Sequence, residues 1–443
     1  MHTLSQLKSG ELAGISRLTL SENLTSFPLD ILSLADSLEI LDLSHNKLSS
    51  LPNESGKVSM QLSVKINHRS LEILDLSHNK LSSLPDELVQ LKKLKIIFAS
   101  NNRFETLPEV LGQLDDLEMV GFKSNQIKQI PKNSLPTKLR WLILTDNCIE
   151  TLPDSLGERL RLQKLALAGN KLTKLPLTMD KLENLELVRL SANNLSECPT
   201  QLLNLPKLAW FAFAGNPFSN SVLKVDAVPL LPSSSFTLHE VLGQGASGEI
   251  SKASWNESQS SFPNEIAVKV FKGSVTSDGY PEDELQACLK TGRHPNLVSS
   301  LAQVNEGNYL ALIMDLIPQN YKNLGLPPCF KSCTRDTFPA NFELTIEHID
   351  KIISQMEDVF EHLHSKQVCH GDLYAHNTLF DEDANIIFGD FGASSMYHML
   401  TIEQQKSIKK IERRALHHFI EDLLSICNDQ HSAKFKVIEQ KIN

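Results

Sequence analysis

Two features of the sequence predict an α/β solenoid followed by a separate α+β domain. Across the first half the pattern LxxLxLxxNxL recurs; after residue 216 it stops, and the chain turns to β-branched runs, a glycine cluster and long helical periods such as 349–365. A fixed period near 23 residues marks stacked coils, each unable to bury its apolar face alone.

The repeat is read from LEILDLSHNKL, present from Leu38 and again from Leu71, through LKIIFASNNRF, LEMVGFKSNQI, LRWLILTDNCI, LQKLALAGNKL and LELVRLSANNL to LAWFAFAGNPF. Its asparagines are Asn46, Asn79, Asn102, Asn125, Asn147, Asn170, Asn193 and Asn216, spaced by 22 or 23 from Asn79 onward. A degenerate unit from Ile15 reads as the first turn. This is a leucine-rich repeat (LRR) pattern: a short strand carries alternate leucines inward, and each Asn sits at a turn where its amide can satisfy backbone groups of adjacent coils. After each Asn a Leu-Pro step, as at Leu107-Pro108 and Leu152-Pro153, begins the return along the convex side.

One irregularity interrupts the period. SLEILDLSHNKLSSLP occupies 37–52 and recurs letter for letter at 70–85, an offset of 33, which reads as a duplication. The intervening stretch, 53–70, has no repeat leucines in register and is expected to bulge from the convex side or disturb the stacking. The residue before the second consensus leucine should face the concave side: Ile40, Ile73, Ile96, Met119, Trp141, Lys164, Leu187, Trp210. With Phe98 and Ile143 beside it, this apolar row makes Ile96, Phe98, Met119, Trp141, Ile143 and Trp210 the candidate surface for a protein partner, unless these side chains pack on each other or on the second domain. The domains expected are a solenoid over 1–216, a proline- and serine-containing cap or linker over 217–235, and the second domain over 236–443.

Composition restricts the partners. A formal charge of -10 argues against nucleic acid or an anionic membrane surface. No apolar run reaches the roughly 18 residues of a membrane span, and the N-terminus lacks a signal-peptide pattern. Seven cysteines without a CxxC pair suit reduced thiols, so a soluble, cytoplasmic protein is expected. Cys329 and Cys333 are near neighbours, but nothing beside them suggests a metal site.

The chemistry lies in the second half. Gly243, Gly245 and Gly248 of LGQGASGEI form GxGxxG between two expected strands, where backbone amides can approach a phosphate chain. Lys269 in IAVKVF is placed to hold phosphates as a point charge. Glu284 heads a helix and could pair with it, with Asp283 and Glu282 as competitors. The strand YLALIMDLIP runs into a connector, with Met314 at its inner end and Asp315, Leu316 and Ile317 offering backbone groups to a purine edge. In HGDLYAHN at 370–377 and GDFG at 389–392, Asp372 suits the orientation of an acceptor hydroxyl, while Asn377 and Asp390 suit Mg²⁺ on the polyphosphate.

These motifs in this order resemble the eukaryotic-type protein kinases over residues 236 to about 425, and the whole layout resembles the bacterial-type LRR serine/threonine kinases. The resemblance implies a bilobal protein-kinase-like domain, ATP and Mg²⁺ as cofactors, Ser/Thr hydroxyls as acceptors, and a protein substrate or regulator on the LRR concave face. It also implies an adenine pocket of Leu242, Ile250, Ala267 and Leu379 with Met314 as gatekeeper. Three departures stand out. Gly371 replaces the usual Arg, which makes control through Ser394, Ser395, Tyr397 or Thr401 doubtful; Tyr374 stands where Ser/Thr kinases have a lysine, with His376 as another donor; no APE follows DFG. Glu412 lies on what looks like the buried helix that normally carries an Asp, and the C-terminal lobe reads as shortened. A pseudokinase scaffold and a small-molecule kinase of the HGD type are the alternatives to a protein kinase.

Overall fold

The computed structural model describes residues 1–52, 70–220, 228–245, 247–257, 261–273 and 275–442. The chain divides into two compact units, Met1–Leu185 and Glu186–Asn443. The first is a solenoid of repeats; the second begins with the two last repeat strands and continues into an antiparallel sheet and helices.

The strands of the first unit are β1 (Arg17–Thr19), β2 (Ile40–Asp42), β3 (Ile73–Asp75), β4 (Ile96–Phe98), β5 (Met119–Gly121), β6 (Trp141–Ile143) and β7 (Lys164–Ala166), and neighbours pair in parallel. Three residues is all a coil needs, because stacking rather than strand length buries the apolar side. Leu20, Leu43, Leu76, Ala99, Phe122, Leu144 and Leu167 repeat at one position of the coil and are wholly buried. Each such leucine contributes about 1.5–3 kcal/mol relative to exposure.

The asparagines act as expected from their position. Asn147 donates from Nδ2 to the carbonyls of Phe122 and Leu144 at 3.0 Å each and accepts from the Ile127 N–H at 2.9 Å, spanning two coils. The residue before it, Asp146, has φ +56°, and His78, Asn101 and Ser124 match it in their coils. A left-handed residue costs roughly 1 kcal/mol when it is not glycine, and the asparagine bonds hold it there. Past each Leu-Pro step the chain returns through short 3₁₀ turns such as Glu109–Gln113 and Asp154–Glu158.

The duplicated copies stack without a break. Ile40 pairs directly with Ile73, and Glu72 N–H donates to the Glu39 carbonyl at 2.8 Å. The expected disturbance of the ladder is therefore absent, and residues 53–69 of the insert lie outside the described residues. The candidate partner row is also corrected in part: Ile96, Met119 and Trp141 are buried and only Phe98 and Ile143 remain half-exposed.

In the second unit β8 (Leu187–Arg189) and β9 (Trp210–Ala212) pair in parallel. The strands β10 (Phe236–Gln244), β11 (Gly248–Trp255), β12 (Glu265–Phe271), β13 (Ser300–Glu306) and β14 (Tyr309–Asp315) form an antiparallel sheet in the order β10-β11-β12-β14-β13. Helices Ile346–Ser365 and Ile402–Ser425 bury one face each, including Ile349, Ile353, Met356, Phe360, Phe419 and Leu423. Among the described residues no helix is long and apolar enough to cross a membrane. The seven cysteines are unpaired, and among the described residues no group of three or more His, Cys, Asp or Glu is arranged to hold a metal.

Replacing Asn147 by Ala strands the Ile127 amide and two carbonyls inside the stack. We expect a loss of about 2–4 kcal/mol, read as a lowered urea midpoint; an unchanged midpoint would show that the ladder carries no weight.

Candidate functional site

Lys269 sits mid-strand on β12, paired with Ile250 on one side and Leu312 on the other. Its ammonium bonds the Glu284 carboxylate on helix Pro281–Thr291, both groups buried. Proline at the first helical position and three acids in the first turn suit a helix start. The pairing decides among those acids: Glu282 is exposed, and Asp283 lies toward Gly215, where an added Cβ would stand 2.6 Å from its carboxylate. Burial pushes Glu284 up despite the pull of Lys269, and it pushes Asp283 up to about 6. Burial alone would lower Lys269, but Glu284 and Asp390 outweigh it and hold the amine above its usual value.

The glycines of the loop differ in purpose. Gly243 and Gly245 face open space, leaving room for a ligand, whereas a Cβ on Gly248 would meet the Val270 carbonyl at 2.3 Å. Below them Ala267 and Met314 are buried in one apolar cluster, against which Ile250 and Leu316 pack. Leu242 is half exposed, and Leu379 lies on a separate hairpin, Thr378–Phe380 with Ile386–Phe388. Asp315 ends β14, its N–H bonded to Ser299 at 3.1 Å. A cavity of about 390 Å³ beside this connector is lined by His294, Pro295, Val298, Asp315, Leu316 and Pro318, without Lys269, Asn377 or Asp390.

The 370–377 loop is held from beneath. Glu412 on helix Ile402–Ser425 accepts the N–H groups of His370 and Gly371 at 2.7 and 3.1 Å, and its other oxygen meets His364 at 2.9 Å. His370, pushed down to about 4 by burial, is neutral near pH 7. With the proton on Nε2 it donates to the Gly389 carbonyl at 3.0 Å, leaving Nδ1 to accept the Asp372 N–H at 3.3 Å. Asn377 donates to the Asp372 carboxylate at 2.9 Å, which leaves its own amide oxygen directed elsewhere. Asp390 is exposed, in a left-handed conformation of φ +58°. Lys269 and Glu284 thus pair, Asp372 and Asn377 bond each other, and the charge of Asp390 acts on both Lys269 and Asp372.

The same loop also meets the last two repeats. Gly371 has φ +71°, and a Cβ there would stand 2.8 Å from the Ala393 carbonyl and 3.0 Å from that of Phe211 on β9. That explains glycine in place of arginine. Tyr374 is turned into the core and stacks on Trp210, centroids 5.2 Å apart and planes 1° from parallel, while the Trp210 indole N–H donates to the Leu373 carbonyl at 3.0 Å. Trp210 is therefore removed from the candidate partner surface. Ser395 accepts the N–H groups of Phe213 and Ala214, Ser394 and Tyr397 are buried with it, and Thr401 caps the next helix. The buried hydroxyls are closed to modification.

Sequence reasoning missed Arg189 on β8. Its guanidinium donates to the Asp372 carboxylate, to the Gly371 carbonyl at 2.9 Å and to Asp278 at 2.9 Å. Asp372 and Asp278 keep it charged against the opposing effect of burial. The available signal was an arginine at a strand position that elsewhere carries Thr, Asp, Phe, Gly, Ile or Ala.

Residues 236–421 match the family model described as protein tyrosine and serine/threonine kinase, and residues 69–127 and 37–57 match leucine-rich repeat models. The chain therefore carries leucine-rich repeats and a protein kinase domain. It is similar to the mouse tyrosine-protein kinase receptor TYRO3, 26% identical over 45% of this chain and 23% of that protein. It is also similar to the Dictyostelium discoideum serine/threonine-protein kinase fray1, 27% identical over 39% of this chain and 28% of that protein. The chain thus spans about a quarter of the length of these relatives. A solved leucine-rich repeat protein of Leptospira interrogans is 28% identical over 48% of this chain and 63% of its own, with a TM-score of 0.31 that adds nothing on the fold.

Restoring arginine at position 371 should harm this chain. Gly371→Arg forces a side chain into a left-handed turn against two carbonyls, and we expect a loss of about 1–3 kcal/mol, seen as a lower melting temperature. A variant melting with the parent would show that β9 can move aside.

Proposed function

We propose that this chain is an ATP-dependent protein kinase that phosphorylates Ser or Thr of a protein brought to it by the leucine-rich repeats. The observation that carries the reading is the buried Lys269–Glu284 ion pair: desolvating both charges offsets most of their attraction, so the pair adds little stability and marks a functional site instead. Asp372 and Asn377 in one loop, with Asp390 beside it, supply the remaining groups that phosphoryl transfer needs.

ATP is the donor: Gly243 and Gly245 leave its phosphates room, and Lys269 holds them. Ile250, Ala267, Met314 and Leu316, packed in one apolar cluster, offer a surface for the base, and the family resemblance adds Leu242 and Leu379 to it. The metal donors are one carboxylate, Asp390, and one amide oxygen, Asn377; this set fits Mg²⁺, which takes few protein oxygens and fills its octahedron with phosphate and water. Bound there, Mg²⁺ would neutralise charge on the phosphate oxygens. Asp372 then accepts the proton of the acceptor hydroxyl as that oxygen bonds to the γ-phosphorus. The bond from γ-phosphorus to the bridging oxygen breaks, and ADP leaves with its electron pair.

Half-exposed Phe98 and Ile143 on the strands of the repeats support a concave-face protein contact. Seven unpaired thiols support a reducing, cytoplasmic setting. The Ser/Thr preference rests on the layout of repeats and motifs, since the relatives include kinases of both kinds. One observation favours a second reading, a nucleotide-binding scaffold without transfer: both oxygens of Asp372 already accept a donor, one from Arg189 and one from Asn377.

Purified protein with Mg-ATP and casein should yield phosphoserine or phosphothreonine on acid hydrolysis. In Asp372→Asn the rate should fall about 10²- to 10⁴-fold with Mg-ATP affinity retained, and in Lys269→Met both should be lost. Parent activity no greater than that of Asp372→Asn sinks the kinase reading, and retained Mg-ATP binding would then leave the scaffold.

A further inference from the structure

The last repeats reach the site through Arg189, a residue that the motifs of a phosphotransferase do not include. Its side chain is 6% exposed, and each of its bonds ends on a different part of the site: the Asp372 carboxylate, the Gly371 carbonyl within the same loop, and Asp278 in the turn that leads into helix Pro281–Thr291. Glu284, the partner of Lys269, lies one turn into that helix. One guanidinium thus ties the carboxylate that faces the acceptor to the segment that carries the phosphate-side ion pair.

Other contacts hold the same two segments against the repeats. An added Cβ on Gly279, in the turn with Asp278, would stand 2.8 Å from Ser191 of the coil after β8, and one on Gly215 would stand 2.8 Å from Tyr280. The Trp210 indole is fixed on the Leu373 carbonyl at 3.0 Å. A surface staple between two packed bodies would not need a buried cation on Asp372. A charge held away from water needs partners in place of it, and here the two carboxylates and the carbonyl are those partners.

We propose that Arg189 is a positioning residue for phosphoryl transfer, fixing the Asp372 carboxylate and coupling it to the Asp278 turn, so that the penultimate repeat is part of the machinery of the kinase domain. This rests on the kinase reading above. Arg189 touches neither nucleotide nor acceptor; it acts through Asp372. In place of a phosphorylated loop or a lysine near position 374, the chain brings its organising cation from the last repeats.

The test uses the full chain with Arg189→Met, Arg189→Lys, Asp372→Asn and the double variant Arg189→Met/Asp372→Asn, assayed with casein and Mg-ATP. We expect Arg189→Met to lower kcat about 10- to 100-fold, with KM for ATP and the Mg-ATP dissociation constant changed by less than about threefold. Arg189→Lys, which keeps the charge, should recover at least about fivefold of that loss. In the Asp372→Asn background the Met substitution should change the residual rate by less than about twofold, since its effect passes through the missing carboxylate. A higher kcat in Arg189→Met would overturn the proposal and make Arg189 an inhibitory plug. Equal losses in the Met and Lys variants, tracking a fall in melting temperature, would overturn it in favour of a structural staple. Parent activity equal to that of Asp372→Asn is a separate pattern: it overturns the kinase reading and this assignment together.

Discussion

The 370–377 loop turns through a left-handed glycine, and one buried carboxylate holds that turn. Glu412 accepts two consecutive N–H groups, His370 and Gly371, so the backbone cannot rotate without stranding a buried charge. From this anchor the side chains are aimed in series: His370 onto the segment before Asp390, Asp372 toward Asn377, Tyr374 into the core. A glutamate does this from a helix that starts at Ile402, only a short way past DFG, which leaves little chain for a separate loop or APE segment between them.

The space so vacated is taken by the end of the solenoid. Phe211 and Trp210 on β9 approach the loop closely enough that position 371 admits no Cβ and position 374 becomes a stacking partner. Both departures from the usual motif therefore have a steric cause. Ser395 has a similar one, its hydroxyl being consumed by two amides of the last repeat. Packing has replaced residues that elsewhere serve switching, and the cation that organises the site enters from β8.

Buried charge in this unit is organised in pairs and triads. Lys269 has Glu284, and Arg189 has Asp372 and Asp278. Such pairs add little net stability, yet removing one member costs about 3–5 kcal/mol. They specify geometry more than they stabilise the fold, which is what a site needs if its groups are to stay within a fraction of an ångström of their working positions.

The sequence by itself determined the repeat, its inward leucines and asparagine ladder, and put Lys269, Asp372, Asn377 and Asp390 forward as site candidates, because each depends on local spacing: a coil's period, a strand's alternation, a loop of fixed length. It left Glu284 among three acids, because only the packing of helix Pro281–Thr291 on β12 selects one. It left Trp210 between open surface and packing on the second domain, because exposure of a strand residue depends on what arrives from far along the chain. Arg189 and Gly371 are the clearest cases: the residues they meet are 183 and 160 positions away, and no local pattern encodes a contact of that range. Only the tertiary structure decided that the solenoid's end would complete the site, since steric exclusion and charge pairing act through space without regard to order along the chain.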